Sequence, residues 1–178
     1  MKTLVIMLVL LLSVVAVNAQ KVKVEADRNT DLSKYKTYAW EQGTMVSNPI
    51  INQQIISAVD QALAAKGLKR VEANPELLVV SLAAVNSDVQ TAYPSSNNSM
   101  GSAPSTGIAV GSQAWIVSKG TLIIDISDAG TKNRLWRGTA TDTLGNGPTG
   151  DLRKDAKTVE KPIKKAVEKM FKQYPRPS

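Results

Sequence analysis

The chain has 178 residues, with 22 Lys and Arg against 15 Asp and Glu, no histidine and no cysteine. Lacking histidine, it has no ordinary neutral-pH general base, none of the commonest transition-metal ligand and no histidine-containing nucleophilic triad; lacking cysteine, it forms no disulfide and carries no lipidated cysteine anchor. The net charge of +7 is unevenly spread, because residues 151–178 hold nine basic against four acidic side chains, so the basicity belongs to the C-terminal segment.

The first residues read MKTLVIMLVLLLSVVAVNAQ: one lysine, an apolar run from Leu4 to Val17, then Val17-Asn18-Ala19, a small-x-small cleavage pattern. This predicts an export signal over residues 1–19, cleaved after Ala19, with Gln20 as the mature N-terminus. Loss of Lys2 lowers the charge to +6. The apolar run falls short of the roughly 20 residues that span a bilayer, and no later stretch approaches that length, so the mature chain is expected not to be transmembrane. Residues 20–178 are expected to form a single domain, long enough to bury a core without staples.

KVKVEAD at 21–27 alternates apolar and polar residues through Val22, Val24 and Ala26, which predicts a half-buried strand, and β-favouring residues predict a second over about 35–41. A helix is expected over 49–66, with Asn48 as its cap, Pro49 at its first position and Gly67 as its left-handed stop. Ile51, Ile55, Ala58, Val59 and Ala62 form its apolar face. After a turn at Asn74-Pro75, the run from Leu77 to Val85 reads as a central strand covered on both faces. Residues 86–113 turn to Ser, Asn, Gly and Pro and are expected to form a long flexible loop.

GTLIIDISDAGTKNRLWRGTATDTL at 120–144 predicts an antiparallel hairpin turning through Asp128–Asn133. Since opposed residues share a face, a register setting Ile124 against Gly138 places Ile126 beside Trp136 and Leu122 beside Ala140, large against small. Trp136 is then expected in the core. The same register sets Ile123 opposite Thr139 and Asp125 opposite Arg137 on the second face. There the charged pair is a cross-strand contact worth about 0.2–1 kcal/mol if exposed. Asp128 reads as a turn former, since a calcium site needs several more oxygen ligands.

Residues 151–175 carry Leu152, Ala156, Val159, Ile163, Ala166 and Met170 at helical spacing, with Lys154, Lys161, Lys165 and Lys172 along the opposite side. The phase persists across Pro162, which predicts one kinked helix, the alternative being a shorter helix opened by Pro162. The lysine row is a solvated face and also a candidate contact for anionic envelope polymer or lipid. The fold expected is of the α/β, α+β type: a single layer of mostly antiparallel mixed sheet, five or six strands, with two main helices packed on one face.

Five stretches, DLSKYKTYAW, AVDQALAAKGL, NPELLV, GTLIIDISDAGTKNRLWRG and AVEKMFKQYP, together resemble the bacterial envelope family called domain of unknown function 4136. The likeness spans nearly all the mature chain in the family's order. It implies an exported protein of Gram-negative bacteria, periplasmic or secreted, and carries over no catalytic residue. Many members are lipoproteins, whereas here Ala19-Gln20 stands where a lipobox cysteine would, which favours an unanchored protein. The middle loop, rich in Tyr and Gly in relatives, is rich in Ser and Asn here with Tyr93 alone, which argues against an aromatic binding surface.

Function reads first as a non-catalytic binding or assembly module of the envelope, with no cofactor, no metal and no catalytic residue. The stretch GNGPTG at 145–150 lacks the Lys-Ser/Thr of a phosphate loop and reads as a connector. The alternatives are a carboxylate-dependent glycan-acting enzyme drawing on Asp125, Asp128 and Asp142, and a binder of anionic lipid or polysaccharide through the basic helix. A pI of 9.6 also raises nucleic-acid binding, but an export signal and the lack of interleaved aromatic and basic residues argue against it. Other envelope proteins are the remaining partner class.

Overall fold

The computed structural model describes residues 20–41, 43, 46–92, 113–145 and 148–175. The expected signal and its cleavage site lie outside these. Six strands, β1 (Lys21–Ala26), β2 (Thr37–Trp40), β3 (Lys69–Arg70), β4 (Leu77–Ala92), β5 (Gln113–Asp128) and β6 (Arg134–Gly145), form one open sheet in the order β1-β6-β5-β4-β2-β3. Pairing is antiparallel from β1 through β4 and parallel where β2 meets β4 and β3. Helix α1 (Pro49–Ala64) makes the crossover from β2 to β3, and helix α2 (Leu152–Lys172) follows β6. The α+β layer of mixed sheet and two helices expected from the sequence is the fold observed.

Each helix begins where its chemistry directs. Asn48 caps α1, its Oδ1 accepting from the Ile50 and Ile51 amides, and Gly67 takes φ 80° just beyond its end. Asp151 caps α2 by accepting from the Arg153 and Lys154 amides, and α2 runs unbroken through Pro162. The helices lie side by side and parallel. Asn48 Nδ2 donates to the Leu152 carbonyl at their N-terminal ends, 2.8 Å, and Lys66 Nζ donates to the Tyr174 carbonyl beyond their C-terminal ends, 2.7 Å.

The core lies between helices and sheet. Ile55, Val59 and Leu63 of α1 and Ile163, Val167 and Met170 of α2 bury against Val79, Ile124, Ile126 and Trp136. The hairpin register is the one the alternation predicts: Ile124 opposes Gly138, Ile126 opposes Trp136, Leu122 opposes Ala140 and Asp125 opposes Arg137. Gly138 is required there, because a Cβ would stand 2.6 Å from the Met170 sulfur and 2.6 Å from the Trp136 ring. Trp136 is 1% exposed, with Phe171 and Tyr174 around it at ring-centroid distances of 4.9 and 5.6 Å.

Three expectations are corrected. Residues 86–92 and 113 are strand, since the β4–β5 ladder continues to Ala92↔Gln113. Main-chain pairing with a neighbouring strand does not depend on apolar side chains, so composition alone set that boundary too early; residues 93–112 lie outside those described. The run 77–85 is covered by helices on one face only. Leu77 and Val79 pack under them, whereas Leu78, Val80 and Leu82 share the opposite face with Ile123, leaving Val80 and Leu82 half-buried. Finally, Leu152 belongs to the inner stripe of α2 by spacing yet is 49% exposed, because a cleft separates it from the sheet.

Candidate functional site

The cleft opens under the first half of α2, between that helix, the N-terminal end of α1 and the far ends of β5 and β6, and holds about 850 Å³. Its floor is apolar: Ile55, Leu122, Ala140, Ile163 and Ala166, each under 10% exposed. Its mouth includes Val85 and Leu152, 42% and 49% exposed. A concave, largely apolar space of this size with a few placed polar groups is the ordinary form of a small-molecule site. Among the described residues no lysine or arginine lines it, whereas Asp142 and Asp155 do.

Two polar residues stand on the rim by register. β1 pairs Lys21 with Thr141 and Val22 with Ala140, so Gln20 and Asp142 are the next positions outward, on the parity of Val22 and Ala140 that faces the core. Gln20 is 7% exposed; its Nε2 donates to the Pro162 carbonyl at 3.0 Å, and its Oε1 is buried without a hydrogen-bond partner among the described residues. Asp142 Oδ1 accepts from the Thr143 amide at 2.9 Å. Asp155 is engaged by the loop before α2, its two oxygens accepting from the Thr149 and Gly150 amides; the Thr149 amide chiefly holds its pKa below the usual carboxylate range.

The carboxylates that the sequence offered for glycan chemistry do not converge. Asp125 lies on the helix-free face, gripped by Arg137 through Nε–Oδ1 and Nη2–Oδ2 contacts of 2.6 and 2.5 Å, and this partner raises the Arg137 pKa. Asp142 is on the opposite face. Asp128 is the turn former expected, accepting from the Gly130 and Thr131 amides and also from the Tyr35 hydroxyl. Among the described residues no group of three or more His, Cys, Asp or Glu is placed to hold a metal ion.

Lys154, Lys161, Lys165 and Lys172 are all exposed on α2, as its spacing predicts; Lys154 Nζ is 3.8 Å from the Asp151 carboxylate. None lines the cleft. Sequence reasoning therefore located the lysine row and missed the cleft. Its rim depends on Gln20, which looks like a mere cleavage-site residue until β1 is registered against β6.

Among solved structures, a PDZ domain protein from Parabacteroides distasonis ATCC 8503 superimposes with a TM-score of 0.56 at 19% identity over 88% of this chain, which spans only 36% of that protein. A minor lipoprotein from Acinetobacter baumannii matches at a TM-score of 0.43 and 13% identity, covering 78% of this chain and 91% of that one. A PelC dodecamer from Paraburkholderia phytofirmans matches at 0.42 and 11%, covering 84% and 98%. No curated protein matches the chain. Among the described residues no helix is long and apolar enough to cross a membrane. The family model described as Domain of unknown function (DUF4136) matches residues 22–176 of the 178, and the chain belongs to that family.

Proposed function

We propose that this chain is an exported bacterial envelope protein, periplasmic or secreted, that works as a non-catalytic binding module by taking the apolar part of a ligand into the cleft under α2. The observation that carries the reading is the cleft's apolar floor opening past exposed Val85 and Leu152, where the inner stripe of a helix stands off from the sheet. Asp125 and Asp142 facing opposite sides of the sheet support a non-catalytic role. An environment-sensitive naphthylamine probe should brighten on binding the protein. Val159→Trp, which places an indole in the cleft, should abolish that signal with unchanged circular dichroism. A full-strength signal from the folded variant would refute the reading. For export, intact mass of the periplasmic or secreted protein should correspond to a chain beginning at Gln20.

The lysine row favours a second, separate surface. Four exposed cations in one line along α2, with a carboxylate within 4 Å of Lys154 alone among them in the described structure, suit anionic lipid or polysaccharide at about 1 kcal/mol per residue near a surface. Changing Lys154, Lys161, Lys165 and Lys172 to glutamine should leave the fold intact and weaken salt-sensitive sedimentation with anionic vesicles. Equal sedimentation of the variant and the parent at low salt removes this reading.

A further inference from the structure

We propose that the outer edge of β4, from Ala83 to Thr91, is the seam of a homodimer in which two copies of this chain pair antiparallel about a two-fold axis at Ser87 and join their sheets into one.

The edge is open by register. The Val79 carbonyl accepts from the Glu41 amide at 2.9 Å, so the odd-numbered positions of β4 turn their backbone groups away from β5. The outer neighbour β2 pairs with Leu77, Leu78 and Val79, and Gly43 lies so close to the strand that a Cβ there would stand 2.2 Å from the Ser81 carbonyl oxygen. From Ala83 onward, no strand among the described residues takes the outward N–H and C=O groups of Ala83, Val85, Ser87, Val89 and Thr91. On the other side, β4 continues with β5 past the end of β6, which stops at Gly145 opposite Ser118. Residues 88–92 and 113–117 therefore form a two-stranded ribbon, which alone is marginally stable in water. A third strand on the β4 edge supplies what this ribbon lacks.

The sequence of the edge says which strand. Exposed edges are ordinarily guarded by lysine, proline or a bulge. Here residues 80–92 hold no Lys, Arg or Pro, and the β4–β5 ladder runs from Leu77 to Ala92 without a register shift. The open stretch reads AAVNSDVQT, with Ser87 at its centre, and its middle is palindromic in chemistry: Asn86 and Asp88 flank Ser87, then Val85 and Val89. Antiparallel pairing about Ser87 sets Val85 opposite Val89 of the second copy, and does so twice, on the face where Val85 is 42% exposed. It sets Asn86 opposite Asp88, so the one acid of the stretch meets an amide rather than its own copy. A patch that complements itself under a two-fold axis is what a closed, isologous dimer requires. The basic helix α2 packs on β6 and β1, across the sheet from this edge, which keeps its lysines away from the seam. An extended segment of another protein would satisfy the same backbone groups but would draw nothing from the symmetry of VNSDV. Because Val85 borders the cleft, pairing also brings the second copy beside each cleft mouth.

Light scattering of the purified protein over a dilution series should show twice the chain mass at high concentration, falling toward the mass of one chain on dilution. Val85→Lys, which puts a charge on the edge, should raise the dimer dissociation constant about ten-fold or more with unchanged circular dichroism. Since the chain has no cysteine, a single introduced thiol reports the axis. Ser87→Cys should give a disulfide-linked dimer on mild oxidation, because directly opposed Cα atoms in such a pair lie about 5.5 Å apart. Asn86→Cys, which faces Asp88, should not. This comparison decides the matter should Val85→Lys fail to fold. A parent that keeps the mass of one chain throughout would overturn the proposal and leave the edge to a strand from another protein. A dimer that folded Val85→Lys leaves intact, or that Asn86→Cys links as readily as Ser87→Cys, would overturn it equally.

Discussion

Trp136 and Gly138 show how far a single position can be specified by what surrounds it. Gly138 is small because Met170 and the Trp136 ring already occupy the space its Cβ would take, so Gly138→Ala should overpack the core and lower stability by about 1–3 kcal/mol in urea unfolding. Trp136→Ala opens the converse defect, a cavity under α2, and should cost about 3–5 kcal/mol. In the parent, the Trp136 contribution to fluorescence should resist an aqueous quencher. Three carboxylates act at the same scale through backbone amides. Glu76 accepts from Lys36 and Thr37, Asp128 from Gly130 and Thr131, and Asp155 from Thr149 and Gly150, and these bonds lower all three pKa values. Because their folded values lie below the unfolded ones, the unfolded chain binds protons first as pH falls. Their contribution is whole above roughly pH 5 and is lost through pH 4 and below. The urea midpoint should accordingly be level from neutrality to mild acid and then drop, with a shallower drop in Asp128→Asn.

Among the elements, legibility followed the strength of the periodic signal. The α1 boundaries were readable because Asn48, Pro49 and Gly67 each have a backbone role that few residues fill, and the hairpin register because pairing large Ile126 and Ile124 with Trp136 and Gly138 admits one alignment on a half-buried face. β3 was not readable: two residues, Lys69–Arg70, joined to β2 by parallel pairing leave no pattern to detect. The end of β4 was misplaced because polar residues from Asn86 onward are held by a ladder rather than by a core. The cleft was invisible for a related reason: periodicity says which side of α2 is apolar, not that a gap separates Leu152 from the sheet. Pro162 tests the same helix. It cannot donate to the Thr158 carbonyl, so Pro162→Ala should restore one bond and raise the urea-derived stability by about 1–2 kcal/mol, the recovered turn outweighing the added unfolded-state freedom. An unchanged or lowered stability would mean that the packing of the Pro162 ring offsets the missing bond.

At the scale of the whole molecule, the sheet closes in an order unlike that of the chain. β1 is the first strand in sequence, and its pairing is with β6, whose partner residues Trp136 to Thr141 come more than a hundred positions later. Loop closure over such a span must be met before any of those bonds form, which makes this the slowest kind of contact to make. During synthesis, residues 21–26 therefore emerge with no neighbour to pair with and stay unpaired until almost the entire chain exists. The β4–β5–β6 meander can assemble meanwhile from nearer partners. A chain with this wiring postpones its own completion: its first strand waits without a partner while the rest is made, and the sheet gains its last edge only when β6 is in place to receive it.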